Sequence, residues 1–261
     1  MLRKLFIFFS QVMFRYVNFE DNYGREIVQE FATHKKGRSK TFLDIGAGEG
    51  VDLLHIKQLE PKSIFYAVES WEPNVKHLKA NGVKVVAGDV ERMTLPFEDN
   101  SIDVVICNQV LEHTKDLFWI LHEIMRVLKK DGRLIVGVPN LAALHNRIML
   151  ALGITPECMT LNGAHVRGFT FTDLHRLMSR SPVAELVGRR GQGFYPFPRI
   201  LARPLSKLMP GMSWGLFVCY RKTGKYRGEY LSVGAEYVGT SYYLGPHEEK
   251  IRSKVEHTIL H

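Results

Sequence analysis

An acid followed by alternating glycines is the first place in this chain where chemistry could be held. Asp44 precedes Gly46, Gly48 and Gly50 in the stretch Thr41-Phe42-Leu43-Asp44-Ile45-Gly46-Ala47-Gly48-Glu49-Gly50. Glycine reaches positive φ without strain, and without a Cβ it lets a ligand lie against bare backbone. The spacing is G-x-G-x-G. It is not the dinucleotide fingerprint G-x-G-x-x-G, because the sixth place is Val51 counted from Gly46 and Leu53 counted from Gly48. Polar groups able to hold a ligand recur downstream. Glu69 lies about 20 residues past the glycines, where an acid can accept from both hydroxyls of a ribose. Asp89 follows Gly88, and Asn108-Gln109 follows an apolar run. His113 and His165 are the groups able to take a proton near neutral pH. The alternative for each is structural: His113 capping or orienting its loop, His165 bonded to a backbone carbonyl. Arg167 could bind an anionic ligand as a bidentate donor.

These residues need elements to position them, and the hydrophobic pattern supplies five strand–helix units between residues 39 and 140. Strands are expected at 41–45, 63–68, 83–87, 102–107 and 133–138, each a short and largely apolar run. Between them lie helical stretches at 51–59, after Ser70-Trp71-Glu72-Pro73, and at 116–130. The last is the clearest: Leu117, Ile120, Leu121, Ile124, Val127 and Leu128 share one face, and Lys129-Lys130-Asp131-Gly132 reads as its stop. Alternating strands and helices imply a parallel sheet with right-handed crossovers. Asp44, the glycines, Glu69, Asp89 and Asn108 then all lie at one edge of that sheet. Further strands are expected at 183–189 and 215–221, paired as an antiparallel hairpin at the edge, with helices at 21–33, 141–153 and 173–180.

Three segments together carry a resemblance: the loop Asp44–Gly50, Leu95-Pro96-Phe97-Glu98-Asp99-Asn100-Ser101, and Asn108-Gln109-Val110-Leu111-Glu112-His113. They resemble class I S-adenosylmethionine-dependent methyltransferases, in particular the ubiquinone/menaquinone-biosynthesis-type (methyltransferase type 11) branch. The resemblance implies a Rossmann-like, doubly wound, mostly parallel seven-stranded α/β sheet with an antiparallel edge strand. It implies S-adenosylmethionine as cofactor and S-adenosylhomocysteine as product, with no metal. Gly46, Gly48 and Gly50 would then admit the amino-acid portion, and Asp44 would accept from its amino group. Glu69 would hold the ribose, and Asp89 with the adjacent Val90 the adenine. Asn108 and Gln109 would close over the methionine part. The stretch His165-Val166-Arg167-Gly168-Phe169-Thr170 is similar to an element that lies over the substrate pocket in this branch.

At 261 residues and 45% apolar content the chain suffices for one large α/β domain with extensions. The expected division is an N-terminal apolar and basic helix over 1–20 and a methyltransferase domain over 21–222. That domain has a cofactor half at 39–140 and substrate-side insertions at 141–212, and an extension follows over 223–261. Cys107, Cys158 and Cys219 are odd in number and include no C-x-x-C, and the eleven histidines show no metal-ligand spacing. A disulfide framework and a zinc site are therefore not expected, and a reducing, cytoplasmic compartment is.

The net charge of +8 is localised: nine basic residues and no acid lie between Leu186 and Gly228. Residues 1–16 are apolar and basic, and their apolar core, Leu5 to Phe9, is too short to span a bilayer. With the proline-broken, apolar and basic stretch 194–212, they are expected either to meet the inner face of a membrane or to pack over the cleft. The function expected first is methyl transfer, by in-line displacement, to a small or lipid-linked acceptor, a glycan- or quinone-like hydroxyl. One alternative is an RNA methyltransferase, against which stands the absence of N-P-P-Y or D-P-P-Y after the fourth strand; nucleic acid is not the expected partner. The other is a non-catalytic assembly partner of the same fold.

Overall fold

The computed structural model describes residues 23–34 and 39–232. Seven strands form one sheet: β1 (Thr41–Ile45), β2 (Ile64–Glu69), β3 (Lys84–Ala87), β4 (Ile102–Asn108), β5 (Leu128–Pro139), β6 (Ala184–Gln192) and β7 (Gly215–Lys222). Their order is β3-β2-β1-β4-β5-β7-β6. Strands β1 to β5 pair in parallel, and β7 runs antiparallel to both β5 and β6. The doubly wound, mostly parallel sheet is therefore present, with β7 inserted between β5 and the outermost β6. The strand order reverses between β1 and β4, and in open α/β sheets ligands bind at the carboxyl ends of the strands beside such a reversal.

Alternation along the central strands divides the core between two faces. Leu43, Val105, Leu134 and Val218 pack on one side with Ile120, Leu121 and Ile124 of α4 (Leu117–Val127) and Leu174 of α6 (Phe171–Met178). Phe42, Val104, Ile135 and Phe217 pack on the other. Their partners there are α1 (Arg25–Ala32), α2 (Val51–Leu59) and α3 (Glu72–Ala80). The remaining helices, α5 (Leu144–Ala151) and α7 (Arg199–Leu208), lie in the connections flanking α6 and β6.

Two local expectations change. The helix expected to run to Lys130 ends at Val127, and β5 begins at Leu128. Leu128 pairs with Ile102 and Lys129 Nζ bonds Asp103 Oδ2 at 2.7 Å, so contacts with β4 override the local helical preference. Within 194–212 the prolines do not prevent a helix: α7 spans Arg199–Leu208 with Pro204 inside it. The apolar helix expected over 1–20 lies outside the described residues, as does most of the 223–261 extension. The described start of that extension packs into the core. Tyr230 is fully buried and donates to the Met178 carbonyl at 2.8 Å, and Tyr226 meets His122 at 3.1 Å.

Candidate active site

The glycine loop turns through left-handed backbone at Gly46, Gly48 and Gly50, with φ of 63°, 56° and 76°. The three glycines serve different ends. A Cβ on Gly46 would lie 2.8 Å from Val110 Cγ2, and one on Gly50 would lie 2.3 Å from Leu78 Cδ2. Both close approaches are packing requirements. A Cβ on Gly48 would meet nothing within 4 Å; this residue faces the cleft.

That cleft, of about 350 Å³, is lined by the loop, the first turn of α2, Asn108 and Gln109, and by Tyr23 and Arg25 from the approach to α1. A larger cavity of about 450 Å³ lies at the opposite edge of the sheet, between Lys40, Asp103, Arg133 and Arg221, and touches none of the site residues.

Carboxylates crowd the cleft. Asp44 is buried at the end of β1. Burial first, then Asp52 and Glu69, push its pKa well above the usual carboxylate range, against the opposing pull of Arg25. Asp52 is raised too, chiefly by burial, while Asn108 and Arg25 pull it down. Arg25 Nη1 stands 3.5 Å from Asp52 Oδ1, and Asn108 Nδ2 donates to Asp52 Oδ2 at 2.8 Å and to the Tyr23 carbonyl at 2.9 Å.

Glu69 ties β2 to the loop. One oxygen accepts from the Gly48 N–H at 2.7 Å, and the other accepts from Ser70 and Trp71 N–H at 2.9 and 2.8 Å. Gln109 sits at φ 58°, unusual for a residue with a Cβ. Its Nε2 and Asn108 Oδ1 are buried without a hydrogen-bond partner among the described residues. Asp89 lies past β3, exposed, accepting from Glu91 N–H at 3.0 Å, and Val90 is buried beside it.

These features fit S-adenosylmethionine. A cluster of acids suits a ligand bearing an ammonium and a sulfonium. The bare Gly48 backbone admits close approach, and Asn108 and Gln109 line the floor. Asp44, the loop glycines and Glu69 are brought together, with Asn108 and Gln109 opposite. Asp89 stands apart at the end of β3, as the outer position of a long nucleoside requires. The sequence reading missed Asp52, Tyr23 and Arg25. Asp52 was open to it, as the acid in the helix turn that follows the glycines; Tyr23 and Arg25 reach the cleft only through tertiary docking.

The histidines come together beyond Val110. Leu111–His113 form a short 3-10 turn, and Val166 and Arg167 N–H donate to the Glu112 carbonyl at 2.8 and 3.4 Å, docking the β5–α6 connection on it. The His113 and His165 rings are then edge to face with centroids 4.7 Å apart. His113 Nδ1 bonds the Ala164 carbonyl at 3.2 Å and His165 Nδ1 the Cys158 carbonyl at 3.0 Å. Burial, and secondarily His165, lowers the His113 pKa, against the raising effect of the Ala164 carbonyl. Arg167 Nη2 donates to the Lys115 carbonyl at 2.7 Å, an anchoring contact that sequence reasoning had not given it. Glu112, which the sequence reading passed over, is 1% exposed, and burial pushes its carboxyl up to about 8.

Residues 43–136 match the family described as a methyltransferase domain. Over this segment the chain resembles S-adenosylmethionine-dependent methyltransferases. A probable S-adenosylmethionine-dependent methyltransferase of Mycolicibacterium smegmatis is 28% identical over 186 residues, 66% of this chain and 69% of that protein. An uncharacterized transposon protein of Streptomyces fradiae is 36% identical over 104 residues, 38% of this chain. The match spans only 30% of that relative's length. Among solved structures, the Burkholderia thailandensis 1,6-didemethyltoxoflavin-N1-methyltransferase, with bound 1,6-didemethyltoxoflavin and S-adenosylhomocysteine, has the same fold. It aligns with a TM-score of 0.53 and 23% identity over 85% of this chain and 88% of that one.

Proposed function

We propose that this methyltransferase domain transfers a methyl group from S-adenosylmethionine to a hydroxyl of a small or lipid-linked acceptor, glycan- or quinone-like. The observation that carries the reading is the pairing of two imidazoles a few residues past the cleft floor. Asn108 and Gln109 line the glycine cleft, Val110 packs on Gly46, and the same turn then brings His113 against His165. S-adenosylmethionine supplies an electrophilic methyl on sulfur, open to in-line displacement. Asp44 and the loop backbone hold the amino-acid portion, Glu69 the ribose, Asp89 and Val90 the adenine, and Asn108 and Gln109 the floor. Fixing the reacting atoms in line can supply about 7–11 kcal/mol, so no covalent catalysis by the chain is needed. The Nδ1–carbonyl bonds fix each neutral imidazole with its Nε2 as a proton acceptor, which suits an acceptor that must lose a hydroxyl proton. Arg167 binds an anionic part of the acceptor by our reading.

A lipid-linked acceptor is favoured by the face around α7, where Ile200 and Leu208 are 81% and 77% exposed between Arg199, Arg203 and Lys207. Among the described residues no helix is long and apolar enough to cross a membrane, so contact would be peripheral at the inner face. The test is a panel of polyprenyl-linked sugars and hydroquinones incubated with S-adenosylmethionine, with release of S-adenosylhomocysteine measured. Turnover of a hydroxyl acceptor supports the reading; no turnover despite intact cofactor binding would favour the non-catalytic partner. Flotation with anionic liposomes at low salt tests the membrane part, and failure to float removes it.

A further inference from the structure

We propose that Glu112, His113 and His165 form a binding site for a divalent transition-metal ion, beside the cofactor cleft. No spacing in the sequence signals it; the fold assembles it by docking the β5–α6 connection on the turn after β4. Three independent features point to a ligand. One ligand atom from each residue lies within 4.8 Å of the other two, and Glu112 Oε1 is 4.0 Å from His113 Nε2. The centre of such a group lies within roughly 3 Å of each atom, so closure by about 1 Å reaches the 2.0–2.2 Å bonds of zinc. Second, both Glu112 carboxylate oxygens are buried and have no hydrogen-bond partner among the described residues. A buried carboxylate in that state costs free energy unless something of opposite charge meets it.

Third, the two imidazoles are oriented alike. A backbone carbonyl can only accept, so the Nδ1–carbonyl contacts of His113 and His165 make Nδ1 the donor in each ring. Each Nε2 then carries the lone pair. Holding a histidine by its other nitrogen on a backbone carbonyl is how metal-ligating rings are fixed in tautomer and direction.

Two imidazoles and one carboxylate favour zinc, manganese or ferrous iron over magnesium or calcium, which prefer all-oxygen sites. Three protein ligands leave coordination positions open. The use of the site rests on the proposed hydroxyl methylation. An acceptor hydroxyl on the ion has its pKa lowered and gives its proton to water. The oxygen lone pair forms the O–CH3 bond while the C–S bond breaks, its electron pair passing to sulfur. With the ion bound, the imidazoles act as ligands and the lowered hydroxyl pKa takes the place of a histidine base.

The test is calorimetric titration of the chelator-treated full chain with Zn2+, Mn2+ and Mg2+ alone. S-adenosylmethionine binding by the same samples serves as the control for folding. We expect one-to-one binding of Zn2+ or Mn2+, tighter than Mg2+. Binding should weaken roughly 100-fold or more in Glu112→Gln and in His165→Ala, and His165→Asp, which restores a ligand, should recover part of the loss. Cofactor binding should be unchanged in all three. Absence of one-to-one binding overturns the site, as does metal affinity that the substitutions leave unchanged while cofactor binding persists. Metal binding in a chain that fails to bind S-adenosylmethionine would overturn the methyl-transfer reading and leave the site standing.

Discussion

Substituting the loop glycines one at a time separates ligand binding from folding. Gly48 and Gly50 share left-handed backbone, so alanine at either costs about 1–2 kcal/mol from the backbone conformation. They differ in what the new methyl meets. At Gly48 it meets nothing within 4 Å of the protein, whereas at Gly50 it falls 2.3 Å from Leu78 Cδ2. Overpacking at Gly50 adds about 1–3 kcal/mol. Gly50→Ala should therefore lower unfolding free energy by roughly 2–5 kcal/mol, and Gly48→Ala by only about 1–2. In Gly48→Ala the methyl projects into the cleft and keeps the ligand off the backbone. A loss of only ~1.4 kcal/mol of contact there is tenfold in affinity, so S-adenosylmethionine should bind at least that much more weakly. Urea unfolding and calorimetric titration of both variants measure the two quantities. Wild-type affinity in Gly48→Ala, or an equal stability loss in both, would refute the assignment of Gly48 to the ligand.

Two further predictions concern groups buried outside the cleft. His145 packs edge-on against Tyr195 and Trp214, and burial lowers its pKa to about 4. The unfolded chain takes up this proton near pH 6.5 and the folded protein does not, so the stability present above pH 6.5 is lost as pH falls towards 4. Linkage gives roughly 2 kcal/mol lost between pH 7 and 5 from this residue. His145→Phe should remove that share of the slope in urea titrations at the two pH values; an unchanged slope contradicts the burial argument. Lys222 Nζ, buried, donates to Asn100 Oδ1 and to the Met125 and Leu128 carbonyls at 2.8, 2.7 and 2.6 Å. Lys222→Met leaves those acceptors without it and should cost about 2–4 kcal/mol in thermal or urea unfolding.

The sheet and its ligand edge were legible because they depend on local signals. Apolar runs of strand length mark β1, β2 and β4, and an acid followed by alternating glycines marks the loop. What failed to show depends on long-range contact. The start of β5 at Leu128 follows from pairing with Ile102, which outweighs a helical pattern that continues through the same residues. Arg25 enters the cleft because α1 docks beside α2, with no periodicity to announce it. Glu112 stood in view beside His113, yet nothing local says that its carboxylate is buried and unpaired. The helix α7 was hidden by prolines, which argue against helices locally but are accommodated here at Pro204.

Calorimetric titration with S-adenosylmethionine and S-adenosylhomocysteine, comparing the wild-type chain with Glu69→Ala, tests the central claim most directly. The Glu69 carboxylate fixes the Gly48 N–H and stands where the ribose is held in our reading. Removing charge-assisted hydrogen bonds worth about 1.5–3 kcal/mol each should weaken binding at least roughly tenfold. The account predicts micromolar binding of both ligands to the wild-type chain and that loss in the variant. No binding of either ligand, or binding that ignores the substitution, would contradict it.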